Sequence, residues 1–381
     1  MSAHEEELEI AGALRRGLGL NRRQFLAATT GVTAVALAGA GPLASAAQAA
    51  SGGHPRRNPL VPASKRGIIL YTVRDAISRD PLSTDLPSGF QRVFEALSRI
   101  GYRQVEFAGY SQHANSKGGA NLETVEGARL LRRWLDHNGL EAEGNHGFIP
   151  GSWPLTPADL DQFKLHLEIA HILGLGHVGT GNDPTSSAYK DDWDIAAEKW
   201  NHLGSIASRA GIKLYTHNHD AAYNFLLDSG PLDALGKPTR SSGIRKLEYF
   251  LKITDRRDVY LEMDIFWAHV AQFKFKTFTA PDGSTQTDLF DPLAVVRAQS
   301  RRFPLFHAKD GKSNPATGNG YDMVPFGTGD IDYAAFFKGA GPKGSFNPMY
   351  EQDNAPGGTD NPGQSLQYAD LSYDNMAALR G

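Results

Sequence analysis

The sequence predicts an α/β protein whose single domain is a (β/α)8 barrel of the TIM type. The main observation is an alternation in which a short run of β-branched and apolar residues is followed, eight times, by an amphipathic helical stretch. A second observation concerns the first run, residues 67–73, which lacks the Gly-rich turn that a doubly wound dinucleotide-binding sheet requires. The closed barrel is therefore favoured over the open sheet.

The eight predicted strands are short runs bounded by polar turns, and several carry Ile, Val, Tyr or Phe. Because parallel strands of a barrel are joined by helices, each strand is expected to be followed by one helix. The strands are expected at residues 67–73, 103–110, 141–148, 177–182, 212–219, 259–270, 304–311 and 348–354.

The predicted helices carry apolar residues at helical spacing. Four of them end beside a glycine, which commonly follows the last helical turn: Gly101, Gly139, Gly174 and Gly211. Either Asp330 or Asp332 is expected to cap the helix near Tyr333. The helices are expected at residues 90–100, 122–138, 158–173, 193–210, 246–253, 292–301, 333–338 and 364–379.

The N-terminal segment is expected to lie outside the barrel. Arg22 and Arg23 precede a weakly apolar Ala/Gly-rich stretch and small-residue cleavage sites, which is the pattern of a twin-arginine (Tat) signal peptide over residues 1–50. An ordinary secretory signal and an N-terminal anchor helix are the alternatives. Residues 51–66 are the expected linker and 67–381 the expected barrel. The prediction is export to the periplasm or the cell exterior, without a stable membrane anchor after processing.

Composition excludes several kinds of chemistry. The chain has 39 Lys+Arg, 42 Asp+Glu and a formal net charge of −3, so the charge balance does not indicate a nucleic-acid partner. It has no cysteine, which excludes disulfides, thiolate metal sites and a thiol nucleophile. Any metal ion must therefore be bound by His, Asp or Glu.

The last four predicted strands carry candidate metal ligands near their C-terminal ends. Side chains alternate along a barrel strand, so every second residue points inward. Two imidazoles and two carboxylates from consecutive strands could meet at one ion and suit Mn²⁺, Zn²⁺, Co²⁺ or Fe²⁺ better than Ca²⁺. Each residue alone could be an ordinary hydrogen-bonded or ion-paired side chain, but four together would leave buried charge uncompensated. The candidates are His217, Asp264, His307 and Glu351.

Several motifs resemble the sugar phosphate isomerase/epimerase family, in the xylose isomerase-like TIM barrel superfamily. They are LYTVRD (70–75), VEFAGY (105–110), GIKLYTHNHD (211–220), LEMDIFW (261–267), FHAKDG (306–311), FGTGDID (326–332) and MYEQDN (349–354). The resemblance covers residues 67–380. It implies one divalent ion, most often Mn²⁺, bound by the four residues named above. In the ketose 3-epimerase branch strand five carries a Glu that acts as a base, whereas this chain has His217 there.

The resemblance and the ligand pattern together predict a metal-dependent isomerase or epimerase that acts on a sugar or keto-sugar through an enediolate. Glu351 and His219 are the candidate bases, and Lys309 is expected to hydrogen-bond a developing oxyanion or a sugar hydroxyl. The side chains expected to bind the sugar are Glu106, His146, His269 and Trp267.

Two other functions stay open at this point. One is a metal-dependent lyase or dehydratase that eliminates a β-substituent from a 3-keto-glycoside or keto-polyol, favoured by the His at strand five and by the export signal. The other is a non-catalytic sugar-binding barrel. The expected partner is a small-molecule sugar or keto-sugar, and a homo-oligomer is compatible with the resemblance because members often form dimers or tetramers.

The longest predicted loops follow strands five, six and seven, at residues 229–245, 272–290 and 312–330. The second contains a Pro-Asp-Gly turn between alternating runs, which predicts an inserted hairpin. Active sites of these barrels lie at the C-terminal ends of the strands, so the pocket is expected to lean toward strands five to eight.

Overall fold

The computed structural model describes residues 59–342 and 344–381. The predicted signal peptide, residues 1–50, and residues 51–58 of the predicted linker lie outside the described residues. The described chain forms eight parallel strands in a nearly closed barrel, surrounded by helices. The predicted fold class is confirmed.

The barrel strands occur in the predicted order and are shorter than predicted. The strands are β1 (Gly67–Ile69), β2 (Gln104–Phe107), β3 (Glu141–Asn145), β4 (His177–Thr180), β5 (Lys213–Thr216), β6 (Val259–Asp264), β7 (Leu305–Ala308) and β8 (Asn347–Tyr350). Neighbouring strands pair in the order β3-β2-β1-β8-β7-β6-β5-β4. The two ends of this sheet meet where His146 forms a parallel bridge with Gly179, which nearly closes the barrel.

Nine helices of seven or more residues lie in the described part of the chain. They are α1 (Gly89–Ile100), α2 (Val125–Asn138), α3 (Pro157–Leu173), α4 (Lys190–Arg209), α5 (Lys246–Ile253), α6 (Ile265–Lys274), α7 (Pro292–Ala298), α8 (Tyr333–Ala340) and α9 (Gln364–Ala378). One-turn segments add Arg74–Ile77 and the 3-10 turns Ala63–Lys65, Leu70–Val73, Asp220–Tyr223 and Ser300–Arg302.

Local chemistry explains where these helices begin and end. The Thr156 side chain accepts a hydrogen bond from the Asp159 backbone N–H, and the Asp159 side chain accepts one from the Thr156 backbone N–H. This pair is a capping box at the start of α3. Gly139 and Gly174 end α2 and α3 in the left-handed conformation, as predicted. Asp332 caps α8 by accepting from Ala335 N at 2.9 Å.

The prediction for strand six is wrong beyond Asp264. Residues 265–270 were expected to continue the strand, but they form the first part of α6. The reason is that Oδ1 of Asp264 accepts the backbone N–H of Trp267 at 2.9 Å, which is an N-cap. In a continuous apolar run of this length, hydrophobic periodicity does not distinguish a strand from a helix.

Three hairpins extend the loops after β5, β6 and β7. The predicted insertion is confirmed as an antiparallel pair, Thr277–Thr279 with Thr285–Thr287. The other two pair Ser229–Leu232 with Pro238–Arg240, and Asp310–Ser313 with Tyr321–Val324.

A small apolar cluster inside the barrel is separate from the main core. Tyr215, Leu305 and Met349 form a small buried cluster inside the barrel. The main apolar core lies between strands and helices and includes tilted aromatic contacts such as Phe90 with Phe107. Across the described residues, every helix is too short or too polar to cross a membrane.

Candidate metal centre and active site

The four predicted ligands meet at the C-terminal ends of β5 to β8. One nitrogen or oxygen from each of His217, Asp264, His307 and Glu351 lies within 4.8 Å of the others, and all four residues are buried. Strand register explains the meeting, because His307 lies directly beside Asp264 in the β6–β7 pair. On its other side His307 is level with Met349, two residues before Glu351.

The donor atoms of this cluster could hold a cation. Nδ1 of His307, Oδ2 of Asp264 and Oε2 of Glu351 are buried and form no well-aligned hydrogen bond among the described residues, although Nζ of Lys309 lies within ion-pair distance of both carboxylate oxygens. Nδ1 of His307 lies 2.7 Å from Oε2 of Glu351 and 3.9 Å from Oδ2 of Asp264. Two imidazoles and two carboxylates form a donor set that suits a divalent transition ion.

Lys309 contacts the same carboxylates and is itself buried. Its Nζ lies 2.8 Å from Oδ2 of Asp264, 2.7 Å from Oε2 of Glu351 and 3.1 Å from Oδ1 of Asp353. Burial by itself lowers the pKa of Lys309, but these carboxylates outweigh it and hold the pKa above the ordinary value. Lys309 is therefore a permanent positive charge at the floor of the pocket.

A second carboxylate layer lies below the cluster. Glu106 and Glu262 are fully buried, with no exposed surface. Oε2 of Glu262 lies 2.7 Å from Nε2 of His146 and 3.1 Å from Nε2 of His307. Oε2 of Glu106 accepts from the same His307 nitrogen at 3.1 Å, and its Oε1 accepts from the Tyr215 hydroxyl.

Buried carboxylates outnumber the one buried lysine at this centre. Of the four buried carboxylates, those of Asp264 and Glu351 contact Lys309, whereas those of Glu106 and Glu262 contact histidine side chains and, for Glu106, the Tyr215 hydroxyl. Burial, reinforced by the charge of Glu262, raises the pKa of Glu106 to about 7. Burial raises the pKa of Asp264 to about 6. A divalent cation would relieve this imbalance.

A cavity of about 480 Å³ opens above the cluster. That volume is within the range of small-molecule sites, about 300–1,000 Å³. Its lining includes five residues that the sequence analysis named, His146, His217, His219, Lys309 and Glu351, and also Asp353. The structure thus brings the candidate bases, the lysine and two of the candidate ligands to one pocket.

The expectation that the pocket leans toward strands five to eight is wrong. Tyr71 after β1, Ala108 after β2, and Thr180 and Asn182 at the end of β4 line it as well. The reason is that the barrel nearly closes, so the ends of all strands surround one axis. Tyr71 is 40% exposed at the rim, and sequence reasoning missed it because β1 was expected to continue through Val73.

Three of the predicted sugar-binding residues do not line the cavity. His269 lies on α6, where its Nδ1 donates to the backbone carbonyl of Ile265 at 2.7 Å. The Trp267 ring is not part of the cavity lining, and its centroid lies 5.6 Å from that of the His219 ring and 5.5 Å from Nζ of Lys309. Glu106 lies below the cluster and faces His307. His146 is the one predicted sugar-binding residue that reaches the cavity.

Two further polar residues support the strand ends. Oδ1 of Asn218 accepts a hydrogen bond from the backbone N–H of Asp264 at 3.1 Å, which connects the end of β5 to the end of β6. Asp183 accepts the backbone N–H of His219 at 2.9 Å, and burial raises the pKa of its carboxyl. Neither residue was predicted. Glu262 was expected to share the inward face of β6 with Asp264, but no role was predicted for it.

Fold and site together define a TIM barrel with a buried His/carboxylate cluster that could bind a metal ion, at the floor of a small-molecule pocket. The chain belongs to the xylose isomerase-like TIM barrel family, whose sequence profile matches residues 94–344. A comparison with curated proteins finds no match.

Solved structures share the fold at low sequence identity. A sugar phosphate isomerase/epimerase from Parabacteroides distasonis is 20% identical, with a TM-score of 0.58 over 84% of this chain and 95% of that chain. A second one from that organism is 18% identical, with a TM-score of 0.57 over 81% and 96%. The probable 3-DHS dehydratase AsbF of Bacillus anthracis is 12% identical, with a TM-score of 0.52 over 81% and 97%.

Proposed function

We propose that the protein is a metal-dependent isomerase or epimerase acting on a sugar or keto-sugar. The observation that carries the proposal is the convergence of buried ligand atoms on Asp264, His307 and Glu351 at the floor of a polar cavity. His217 completes the donor set. Mn²⁺ is the ion that we propose first, with Zn²⁺, Co²⁺ and Fe²⁺ as the alternatives.

The side chains around the cavity supply what proton transfer next to a carbonyl requires. A bound divalent ion would act as a Lewis acid toward the carbonyl and hydroxyl oxygens of the sugar. Glu351 and His219 both line the cavity and can exchange a proton with a substrate carbon. Lys309 presents a buried ammonium group that can donate a hydrogen bond to an oxygen on which negative charge develops.

His146 and Asp353 supply further polar groups for sugar hydroxyls. His146 lies at the β3 side of the cavity and Asp353 at the β8 side, so the two can contact different parts of one ring. Asp353 also contacts Nζ of Lys309 at 3.1 Å, which holds the ammonium group in place.

A lyase or dehydratase is the second candidate, and one observation favours it. The strand-five position holds His217, so Glu351 is the single glutamate among the four clustered ligand candidates. One carboxylate base with a histidine, His219, suits removal of a proton followed by loss of a β-substituent. Epimerisation by two glutamates, one on each face of the substrate carbon, would need a second glutamate, and this set of four residues has none.

The test combines metal analysis with a substrate panel in heavy water. We expect about one transition ion per chain, and activity that a chelator removes and the ion restores. Deuterium at a sugar carbon without bond cleavage would support the isomerase, whereas release of an aglycone or of water would support the lyase. Bound metal with neither reaction would leave a sugar-binding barrel. Protein that never binds a transition ion would refute the proposal.

We also propose that the protein is exported through the twin-arginine pathway and acts in the periplasm or outside the cell. The support is the sequence of residues 1–50. Replacing Arg22 and Arg23 by lysine should retain the protein in the cytoplasm, as cell fractionation would show. The matched control replaces Arg15 and Arg16, a second pair in the same segment, and should leave export intact. The homo-oligomer expected from the resemblance is checked by light scattering.

A further inference from the structure

Two histidines of the cluster, His307 and His217, each lie between two sets of carboxylates. Nδ1 of His307 faces Glu351 at 2.7 Å, while its Nε2 faces Oε2 of Glu106 and Oε2 of Glu262, both at 3.1 Å. Nε2 of His217 lies 3.7 Å from Oδ2 of Asp264, and its Nδ1 lies 3.4 Å from Oε2 of Glu262. Each imidazole therefore turns one nitrogen toward the proposed ion and the other toward the layer below.

A neutral imidazole has one N–H and one lone pair. A carboxylate that accepts the N–H on one side leaves the lone pair on the opposite nitrogen, where a metal ion can use it. We propose that Glu106 and Glu262 are positioning residues that hold His307 and His217 in the tautomers that bind the ion. The inference rests on the proposed metal centre and deepens it.

The layer is itself held in place by buried hydrogen bonds. The Tyr215 hydroxyl donates to Oε1 of Glu106, and Nε2 of His146 lies 2.7 Å from Oε2 of Glu262. Both carboxylates are fully buried below the cavity, so they do not reach a substrate. Their contacts are with imidazole and phenol groups, which is what fixed orientation of a ligand requires.

A second ion in the lower layer is the competing explanation. His146, His217, Glu262 and His307 also bring ligand atoms within 4.8 Å of one another. However, a second ion there would use the remaining nitrogens of His217 and His307, so both rings would have to become imidazolate anions. Hydrogen bonds to two carboxylates require no such deprotonation, and the positioning role is therefore favoured.

The experiment measures ion affinity of full-length protein rather than activity. Purified metal-free wild type, Glu106→Gln and Glu262→Gln are titrated with Mn²⁺ and Co²⁺ by calorimetry, and the visible Co²⁺ spectrum is recorded. We expect one ion per chain in each protein, with affinity about 10–100-fold weaker in the variants. A glutamine is neutral and can turn its NH2 toward Nε2 of His307, which moves the ring N–H to the nitrogen that faces the ion. The Co²⁺ spectrum should then shift.

Glu143→Gln is the matched control. Glu143 is a partly buried carboxylate on β3 that accepts from Gln104 Nε2 at 2.5 Å and touches neither histidine. The ion affinity and the Co²⁺ spectrum of Glu143→Gln should equal those of wild type. Should either glutamine variant fail to fold, Tyr215→Phe removes one hydrogen bond from Glu106 without changing charge. It is expected to weaken Co²⁺ binding in the same direction by a smaller factor.

The outcomes separate the two proposals. Wild type that binds no ion would overturn the proposed function. Wild type that binds one ion, together with folded variants of unchanged affinity and spectrum, would overturn the positioning role alone. Two ions per wild-type chain, one of them lost in Glu262→Gln, would show that the lower layer consists of ligands, which also overturns it.

Discussion

Asp264 binds the backbone N–H of Trp267 through Oδ1 at 2.9 Å and turns Oδ2 toward the ion cluster. One carboxylate therefore ends β6, starts α6 and offers a ligand atom. The helix cap fixes the orientation of the carboxylate, so a single local hydrogen bond positions a proposed metal ligand.

This double role predicts that Asp264→Asn and Asp264→Ala separate stability from metal binding. Asparagine is a good N-cap, so D264N should retain the stability of α6 but lose the charged ligand. D264A should lose both the helix cap and the ligand. Its unfolding free energy without metal should be about 1 kcal/mol lower than that of D264N. Urea unfolding of the metal-free proteins, with metal titration beside it, checks both parts. Equal metal affinity in D264N and wild type would contradict the ligand assignment.

Metal binding should stabilise the fold. An ion present at about 100 times its dissociation constant adds about 2.7 kcal/mol to the free energy of unfolding. We therefore expect Mn²⁺ to raise the melting temperature of wild type and a chelator to reverse the rise. His307→Ala and Glu351→Ala should respond to neither, whereas His202→Ala, at an exposed position, should respond like wild type. A full Mn²⁺ response in both site variants would refute the assignment.

Lys309→Met should uncouple ion binding from catalysis. The substitution removes a positive charge 2.8 Å from Oδ2 of Asp264 and 2.7 Å from Oε2 of Glu351, so ion affinity should stay equal or rise. The turnover number should fall by about 10²–10³-fold because the oxyanion loses its donor. Metal-free K309M should unfold more readily, by about 3–5 kcal/mol, since buried carboxylates are left unpaired. Unchanged turnover in metal-loaded K309M would remove Lys309 from the proposed chemistry.

Stability should fall in mild acid because of His177, which lies on β4 away from the cluster. Burial lowers the pKa of His177 to about 4, while its ordinary value is 6.5. The unfolded chain binds this proton more readily, so the contribution is complete above pH 6.5 and is lost as the pH falls toward 4. The difference between the pKa values of His177 in the unfolded and folded chain corresponds to about 3 kcal/mol of unfolding free energy at most.

His177→Gln tests this contribution in metal-free protein. The variant should show a smaller decrease in unfolding free energy between pH 6.5 and 4 than wild type. Its control, His171→Gln, changes an exposed histidine and should follow the wild-type curve. Parallel curves for all three proteins would show that His177 does not carry the effect.

Local patterns in the sequence were sufficient to predict the barrel fold. Alternating strand and helix periods predicted the eight strands in order, and glycines such as Gly139 and Gly174 marked helix ends correctly. Inward parity also selected His217, Asp264, His307 and Glu351, which the structure brings together. Parity succeeds here because equivalent ends of parallel strands must face one axis.

Local patterns were insufficient where a residue depends on a distant segment. His269 was placed on a strand facing the sugar, but α6 turns it toward the carbonyl of Ile265. Glu106 was assigned to the sugar, and the cross-barrel contacts with Tyr215 and His307 place it below the cluster instead. Tyr71 reached the pocket rim because β1 ends at Ile69.

The sequence by itself determined the fold class, the order of the elements and the four strand-end residues of the cluster, because periodicity and parity belong to the chain locally. Only the tertiary structure decided which nitrogen of His307 faces which carboxylate, how deep Glu106 and Glu262 lie, and which loops border the pocket. Those properties depend on hydrogen bonds and burial between segments as far apart as Glu106 and His307, and no local pattern encodes them.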